Sequence, residues 1–309
     1  SGTSCRHKGE NENEGCRMSD IPPGTPGDSP FEVGEIRHGD LPPELLPNAM
    51  REIANFTVGI VIGDDLLGSG TLIDIGQRRG ILTAHHVASR IMKADDDALA
   101  LVVADHPHRL CVRPSLLAHT VIGAPPSLED WRPDLSFLGI GDHKLLGTLA
   151  SKKSFVYMDK RSDQSFSAYP RREELWWFVA GFPAEFSARI NAEQRKDMLT
   201  KSSNFVGQAT LLRHFEQDEH DYLRLKVYDP AHGFPSNYGG VSGGGIWMVP
   251  LEMDPDKGPH TAKAAELFLA GVCCYQHEPL PDGREVEGHG PRSVYRRMRE
   301  VLSQGGVQE

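Results

Sequence analysis

The stretch GVSGGGIW, residues 240–247, places one serine among four glycines and then turns apolar. Glycine permits backbone angles and close approaches that a Cβ forbids, but it loses about 1 kcal/mol more conformational freedom than alanine on folding. A nucleophilic serine would offset that loss, because its neighbouring backbone N–H groups must be open to an oxyanion. A structural alternative is that Gly243–Gly245 only lets two strands pack closely.

Two further stretches carry residues that a nucleophilic serine needs. GSGTLIDIGQRRGILTAHHV (68–87) reads as two apolar strands joined by a polar turn, and the second strand ends in the pair His85–His86. Histidine can accept and return a proton near neutral pH. In RPDLSFLGI (132–140), Asp134 precedes an apolar run, and an aspartate can hold the base in one tautomer. Alternatively, Asp134 only begins a strand or caps a turn after Pro133.

These three stretches together resemble the chymotrypsin-like serine peptidases over about residues 50–304. The family pattern L-T-A-x-H matches residues 82–86, so the resemblance selects His86 rather than His85 as the base. Asp134 follows His86 by 48 residues and precedes Ser242 by 108, which is the family order. The resemblance therefore implies a triad of His86, Asp134 and Ser242, with an oxyanion hole made by the N–H groups of Gly240 and Ser242.

The same resemblance implies a primary specificity pocket near the nucleophile. Its expected residues are Ser236, Cys274, Tyr275 and Gln276. No acid is reliably placed at the pocket floor, so a preference for Lys or Arg is unsupported, although Glu278 or Asp229 could supply negative charge if their loops fold inward. Val241 stands where many secreted members carry the Asp that pairs with a new N-terminus, which implies the non-zymogen, bacterial-type branch of the family.

Short runs rich in Val, Ile, Leu and Thr alternate with Gly, Pro and Asp from about residue 48, a pattern typical of an all-β barrel or sandwich. The resemblance implies two packed six-stranded antiparallel β-barrels, at about 50–150 and 170–290, followed by a closing helix at about 293–304. Helical spacing of apolar residues in that last segment agrees with a helix. A surface helix is also predicted for AEFSARINAEQRKDMLT (184–200), and HFEQDEHD (214–221) is predicted to be a solvated loop.

The N-terminal segment differs in composition from the rest of the chain. Residues 1–48 hold seven of the 22 prolines and nine acids against four bases, and their few apolar residues show no period. This predicts a disordered acidic tail before a peptidase domain at 49–309.

Composition argues against several classes of partner and setting. A net charge of −10 without a basic stripe argues against a nucleic-acid partner. No run of about 18 apolar residues indicates a membrane span, and the chain start lacks the apolar part of a secretory signal. Five cysteines without C-x-x-C spacing favour a reducing, cytoplasmic setting.

The sequence thus predicts a serine endopeptidase that acts on protein or peptide substrates without a metal or other cofactor. The alternative is a scaffold of the same fold that binds peptides with little or no turnover. A cytoplasmic protease without a prodomain would endanger its own cell, so we also expect a regulatory protein partner or a narrow substrate range.

Overall fold

The computed structural model describes most of the chain beyond residue 40. The described residues are 41–103, 109–127, 130–162, 175–186, 188–190, 199–201, 203–228, 235, 237–254, 256–277 and 283–304. All of them belong to the unit Ile36–Glu309. Of the predicted tail, residues 1–40 lie outside the described part.

The described residues form mostly strands. In chain order these are β1 Thr57–Ile62, β2 Asp65–Ile75, β3 Arg78–Thr83, β4 Leu99–Val102, β5 Arg109–Cys111, β6 Leu117–Gly123, β7 Leu135–Ile140, β8 Val156–Tyr157, β9 Leu175–Gly181, β10 Ala188–Ile190, β11 Leu199–Lys201, β12 Phe205–Gln217, β13 His220–Tyr228, β14 Gly245–Glu252, β15 Lys263–Ala264, β16 Phe268–Gln276 and β17 Gly283–His289. The helices are α1 Leu45–Phe56, α2 His85–Ile91, α3 His143–Ala150 and α4 Met298–Gln304, with a π-helical segment at Arg292–Arg297 before α4. No helix of the described residues is long and apolar enough to cross a bilayer.

The first sheet has eight strands where six were predicted. Its order is β5-β4-β1-β2-β3-β7-β6, all antiparallel, and β8 pairs in parallel with β2. The two additional strands, β5 and β8, are only three and two residues long. Strands this short leave little periodic signal in a sequence.

The second sheet closes into a ring. β9 pairs with both β12 and β14, so β14-β16-β17-β13-β12-β9 form a closed set of six antiparallel strands. β15 pairs with β14 outside this ring. The six-stranded C-terminal barrel is therefore as predicted.

One apolar cluster joins the two sheets and the C-terminal helical segment. Ile73 and Phe137 enter it from the first sheet, Phe178 and Trp247 from the second, and Tyr295 from the π-helical segment. Burial of these side chains from water stabilises the packing of the three parts. The fold is the predicted chymotrypsin-like all-β double barrel with a C-terminal helix.

The folded part begins earlier than the predicted boundary after residue 48. α1 starts at Leu45 and buries Leu45, Ala49 and Ile53, which are spaced four apart and so share one helix face. The prolines around this segment favoured disorder in the sequence. Pro47, however, lies in the first turn of α1, where a backbone N–H has no intrahelical partner to lose.

The helix predicted for 184–200 is not present in its described residues. Ala184–Phe186 form a short 3₁₀ turn, and β10 and β11 pair antiparallel through residues 188–190 and 199–201. Residues 187 and 191–198 lie outside the described part. The weak helical propensity of this segment is overridden by the strand pairing.

The segment 214–221, predicted to be a solvated loop, instead anchors the C-terminal helical segment. Asp221 lies at the start of β13 and is almost fully buried. Its carboxylate accepts hydrogen bonds from the N–H groups of Arg292 (3.0 Å) and Ser293 (2.7 Å), from the Ser293 hydroxyl (2.9 Å) and from His214 Nε2 (2.9 Å). Burial alone would raise the pKa of Asp221, but the hydrogen bonds from His214, Ser293 and Arg292 hold it below its usual value.

Candidate active site

His86 lies in the first turn of α2, directly after β3. The strand predicted from the sequence at 79–86 reached His86, but β3 ends at Thr83 and α2 begins at His85. The helix turns the chain away from the sheet edge and leaves the His86 side chain half exposed. A proton-transferring residue needs this access to substrate.

Asp134 holds His86 by two hydrogen bonds. Its Oδ2 lies 2.6 Å from His86 Nδ1, and its Oδ1 accepts the backbone N–H of His86 at 2.8 Å. Asp134 is 4% exposed and lies immediately before β7, which pairs with β3. Neighbouring strands thus bring the two residues together across 48 positions of the chain. With Nδ1 donating to the carboxylate, Nε2 of a neutral His86 is free to accept a proton.

The backbone of Asp134 is fixed by His289, for which the sequence predicted no role. Its N–H donates to Nε2 of His289, at the end of β17, over 2.9 Å. Burial, followed by the nearby His220, lowers the pKa of His289 to about 3. His289 is therefore neutral at physiological pH and can act as an acceptor. No local pattern marks this contact, because the two residues are 155 positions apart.

His85, assigned no catalytic role from the sequence, supports the site from behind. Its Nδ1 lies 3.0 Å from the hydroxyl of Ser136, and its Nε2 lies 3.1 Å from that of Ser89. His119 Nε2 contacts the same Ser136 hydroxyl at 3.1 Å. Burial lowers the pKa of both His85 and His119. This network ties α2 to β7 beside the His86–Asp134 pair.

The loop that carries Ser242 consists of residues 239–243, and the carbonyl groups of residues 239–242 all accept hydrogen bonds. The acceptors and donors are Gly239 O with Ala184 N (2.7 Å), Gly240 O with Ser69 Oγ (2.6 Å), Val241 O with Gly244 N (2.8 Å) and Ser242 O with Ser69 N (2.8 Å). Within the described chain, neither the N–H of Gly240 nor that of Ser242 donates a hydrogen bond. A trans peptide holds its N–H opposite its C=O, so fixed carbonyls also fix the direction of these two open donors.

The glycines of this loop are required by backbone geometry and by contact with the first barrel. Gly240 and Gly243 have φ values of 91° and 89°, which side chains other than glycine rarely adopt. A Cβ on Gly243 would lie 2.1 Å from Ser69 O and 3.1 Å from Ala84 N. The residue after Ser242 therefore lies against the chain that leads into His85–His86. Ser242 itself is partly exposed and forms no side-chain hydrogen bond with any described residue, His86 included.

The four residues predicted to form the specificity pocket have different environments. Ser236 lies outside the described residues. Cys274 is buried, and its thiol donates to Glu287 O at 3.6 Å. Gln276 accepts the N–H of Tyr238 at 2.8 Å and so supports the loop before Ser242. Tyr275 is the exposed one of the described three, at 40%.

An aromatic pair accompanies this segment. The ring of Tyr275 stacks on that of Trp131, with centroids 4.3 Å apart. Trp131 precedes Asp134 by three residues and Tyr275 lies in β16, so the pair bridges β16 and the segment that carries the carboxylate. The sequence predicted Tyr275 for the specificity pocket and predicted no role for Trp131.

Comparisons with known proteins yield structural matches only. No family model matches the chain, and no curated protein matches it. Two structures of the HtrA-type protease AlgW with a tripeptide match at 13% and 14% identity, with TM-scores of 0.46 and 0.45. Each match covers 84% of this chain. This chain spans only 64% of the length of each AlgW chain, which is less than two thirds.

A third match comes from a study described as "Aromatic interactions drive the coupled folding and binding of the intrinsically disordered Sesbania mosaic virus VPg protein". It has 13% identity and a TM-score of 0.39, and it covers 78% of this chain and 88% of its own. These likenesses concern the arrangement of strands and not the chemistry of the site.

Proposed function

We propose that this protein is a serine endopeptidase that hydrolyses peptide bonds through an acyl-enzyme, with Ser242 as nucleophile, His86 as base and Asp134 as its partner. The observation that carries the proposal is the His86 Nδ1 to Asp134 Oδ2 contact at 2.6 Å, beside a loop whose Gly240 and Ser242 N–H groups have no acceptor among the described residues. A base held in one tautomer and two open backbone donors are the parts that acyl transfer requires.

In this reaction the Ser242 hydroxyl attacks the scissile carbonyl, and its proton passes to His86 Nε2. The carbonyl oxygen becomes an oxyanion and accepts the N–H groups of Gly240 and Ser242. Asp134 stabilises the imidazolium, which then gives its proton to the leaving amine as the C–N bond breaks. Water, deprotonated by the same histidine, hydrolyses the ester and frees Ser242.

The missing hydrogen bond between Ser242 and His86 is compatible with this chemistry. In proteins without bound substrate, catalytic hydrogen bonds are often long and shorten only in the complex. Three features are already in place without substrate: the buried carboxylate, the oriented ring and the fixed loop carbonyls. These features support turnover over the alternative of a peptide-binding scaffold.

The proposal is tested by labelling with a fluorophosphonate probe, which phosphonylates activated serines. We expect the native protein to label at Ser242, found by peptide mass spectrometry, and the folded Ser242→Ala variant not to label. Mass-spectrometric profiling of cleavage in a mixed peptide library, with Ser242→Ala as control, would then identify substrates. A native protein that binds library peptides but neither labels nor cuts would instead be the scaffold.

A further inference from the structure

Ser69 is a fully buried polar residue in β2 of the first barrel, yet three of its four hydrogen bonds are with the second barrel. It is 0% exposed, and its partner in the β1–β2 pairing is Gly59. A Cβ on Gly59 would come within 2.9 Å of the Phe182 ring, so the absence of that side chain lets the segment after β9 approach β1 closely, beside Ser69. Ser69 is thereby placed at the junction of the two barrels.

Every polar group of Ser69 is used at this junction. Its hydroxyl donates to Gly240 O at 2.6 Å and accepts the N–H of Phe182 at 2.8 Å. Its N–H donates to Ser242 O at 2.8 Å, and its carbonyl accepts the hydroxyl of Thr83 at 2.7 Å. Burying a hydroxyl costs free energy that hydrogen bonds must offset, so a packing role alone would favour alanine here.

The two bonds from Ser69 to the loop flank one peptide unit. Gly240 O belongs to the unit before the Val241–Ser242 peptide, and Ser242 O belongs to the unit after it. Both neighbours of the unit that carries the Ser242 N–H are therefore held by a single residue. Because peptide units are planar, holding both neighbours restricts the rotation of the unit between them.

We propose that Ser69 is a positioning residue, through which the first barrel orients the oxyanion-binding N–H of Ser242 in the second barrel. This inference rests on the proposed function, because an oxyanion hole has a role only if Ser242 reacts. It extends that function by making the association of the two barrels a condition for transition-state binding, beyond bringing His86 near the nucleophile.

The chain offers a matched control two residues along the same strand. Thr71 is also 0% exposed and shares the strand face of Ser69, but its hydroxyl has no hydrogen-bond partner among the described residues. Thr71→Val and Ser69→Ala each remove one buried hydroxyl from β2. Only Ser69→Ala removes a bond to the Ser242 loop.

The experiment measures the second-order rate constant of fluorophosphonate labelling against pH, per folded molecule and well below the melting temperature. For Ser69→Ala we expect the plateau of the labelling rate constant to fall by about tenfold or more. Loss of one oxyanion donor lowers kcat by about 10²–10³-fold, and a displaced donor is a partial loss. The midpoint of the pH dependence should not move, since the contact between His86 and Asp134 is untouched. Thr71→Val should label within about twofold of the native protein.

The outcomes separate this inference from the proposed function. Native protein that never labels overturns the proposed function, and the role of Ser69 with it. Native protein that labels while folded Ser69→Ala keeps the native plateau overturns the role of Ser69 alone, even if its melting temperature falls. Should Ser69→Ala not fold, Ser69→Cys is used in the same comparison. Its thiol is a weaker hydrogen-bond donor than the hydroxyl, so the labelling plateau should still fall. A native plateau in Ser69→Cys overturns the inference, and a lowered plateau with an unmoved midpoint supports it.

Discussion

Replacing Asp134 with asparagine tests the central contact of the site. The amide side chain of Asp134→Asn could keep its carbonyl oxygen on the backbone N–H of His86, where Asp134 Oδ1 now lies at 2.8 Å. Its NH₂ group would then face His86 Nδ1, which now lies 2.6 Å from a carboxylate oxygen. Nδ1 would have to accept a hydrogen bond, so the ring proton would move to Nε2. In that tautomer Nε2 cannot take the proton of Ser242.

The expected loss is large because the wrong tautomer removes the base. A triad aspartate changed to asparagine lowers kcat by about 10⁴-fold in a protease of this chemistry. At 1.36 kcal/mol per tenfold, this corresponds to about 5 kcal/mol of transition-state stabilisation. The side chains have nearly the same shape, so the melting temperature should change far less than the rate.

The assay compares fluorophosphonate labelling, and cleavage of a peptide identified in the library, in the native protein and in Asp134→Asn, both confirmed to be folded by thermal unfolding. Asp142→Asn is the control, because Asp142 caps α3 through Leu145 N–H at 2.6 Å and asparagine caps helices equally well. We expect Asp142→Asn to retain native rates. If folded Asp134→Asn kept more than about a tenth of the native rate, the tautomer argument would be refuted.

Three further predictions concern stability and are measured by thermal or denaturant unfolding. Asp221→Asn should lower the unfolding free energy by about 2 kcal/mol at pH 7, because it weakens the hydrogen bonds to the C-terminal helical segment. Since the folded pKa of Asp221 is depressed, this difference in unfolding free energy should be present above about pH 4 and disappear below it. A constant difference down to about pH 3 would contradict the prediction. Unfolded His289 binds a proton below about pH 6.5, whereas the folded residue has a pKa of about 3. The unfolding free energy of the native protein should therefore fall as the pH drops through this window, and more steeply than that of His289→Gln. Equal slopes of unfolding free energy against pH would exclude a lowered pKa for His289. Gly243→Ala should lower the unfolding free energy by about 3 kcal/mol or more and abolish labelling, because its Cβ would clash at a positive φ. The control Gly147→Ala lies inside α3 with no atom within 4 Å of the new Cβ, so it should raise the unfolding free energy by about 0.5–1 kcal/mol. Equal stabilities of the two variants would show that the Ser242 loop is not constrained.

The strands of the two barrels could be read from the sequence where their signal is local. β1, β7 and β9 are short apolar runs that end at polar or glycine residues. Their predicted bounds, 56–63, 134–140 and 175–182, are each within one residue of those observed. The signal failed where it was weak or was overridden by contacts elsewhere. β17 carries three charged residues among seven and was missed, because its place in the closed ring comes from pairing with β13 and β16.

The candidate site also has a part that could be predicted from the sequence and a part that could not. The residue types and their order could be read directly, because histidine, aspartate and a glycine-flanked serine are chemical requirements visible one stretch at a time. Their roles in catalysis remain predictions, but the structure places His86 on Asp134 and the Ser242 loop against Ala84.

By itself, then, the sequence determined the chemistry available to this protein and the class of fold that carries it, since both are written in local patterns of residues. Only the tertiary structure decided what holds that chemistry in place. Asp134 is tied to His289 across 155 positions and Gly240 to Ser69 across 171. Such contacts depend on how two separately formed barrels pack, and hydrogen bonds of a few ångströms between distant residues leave no period or motif in the chain.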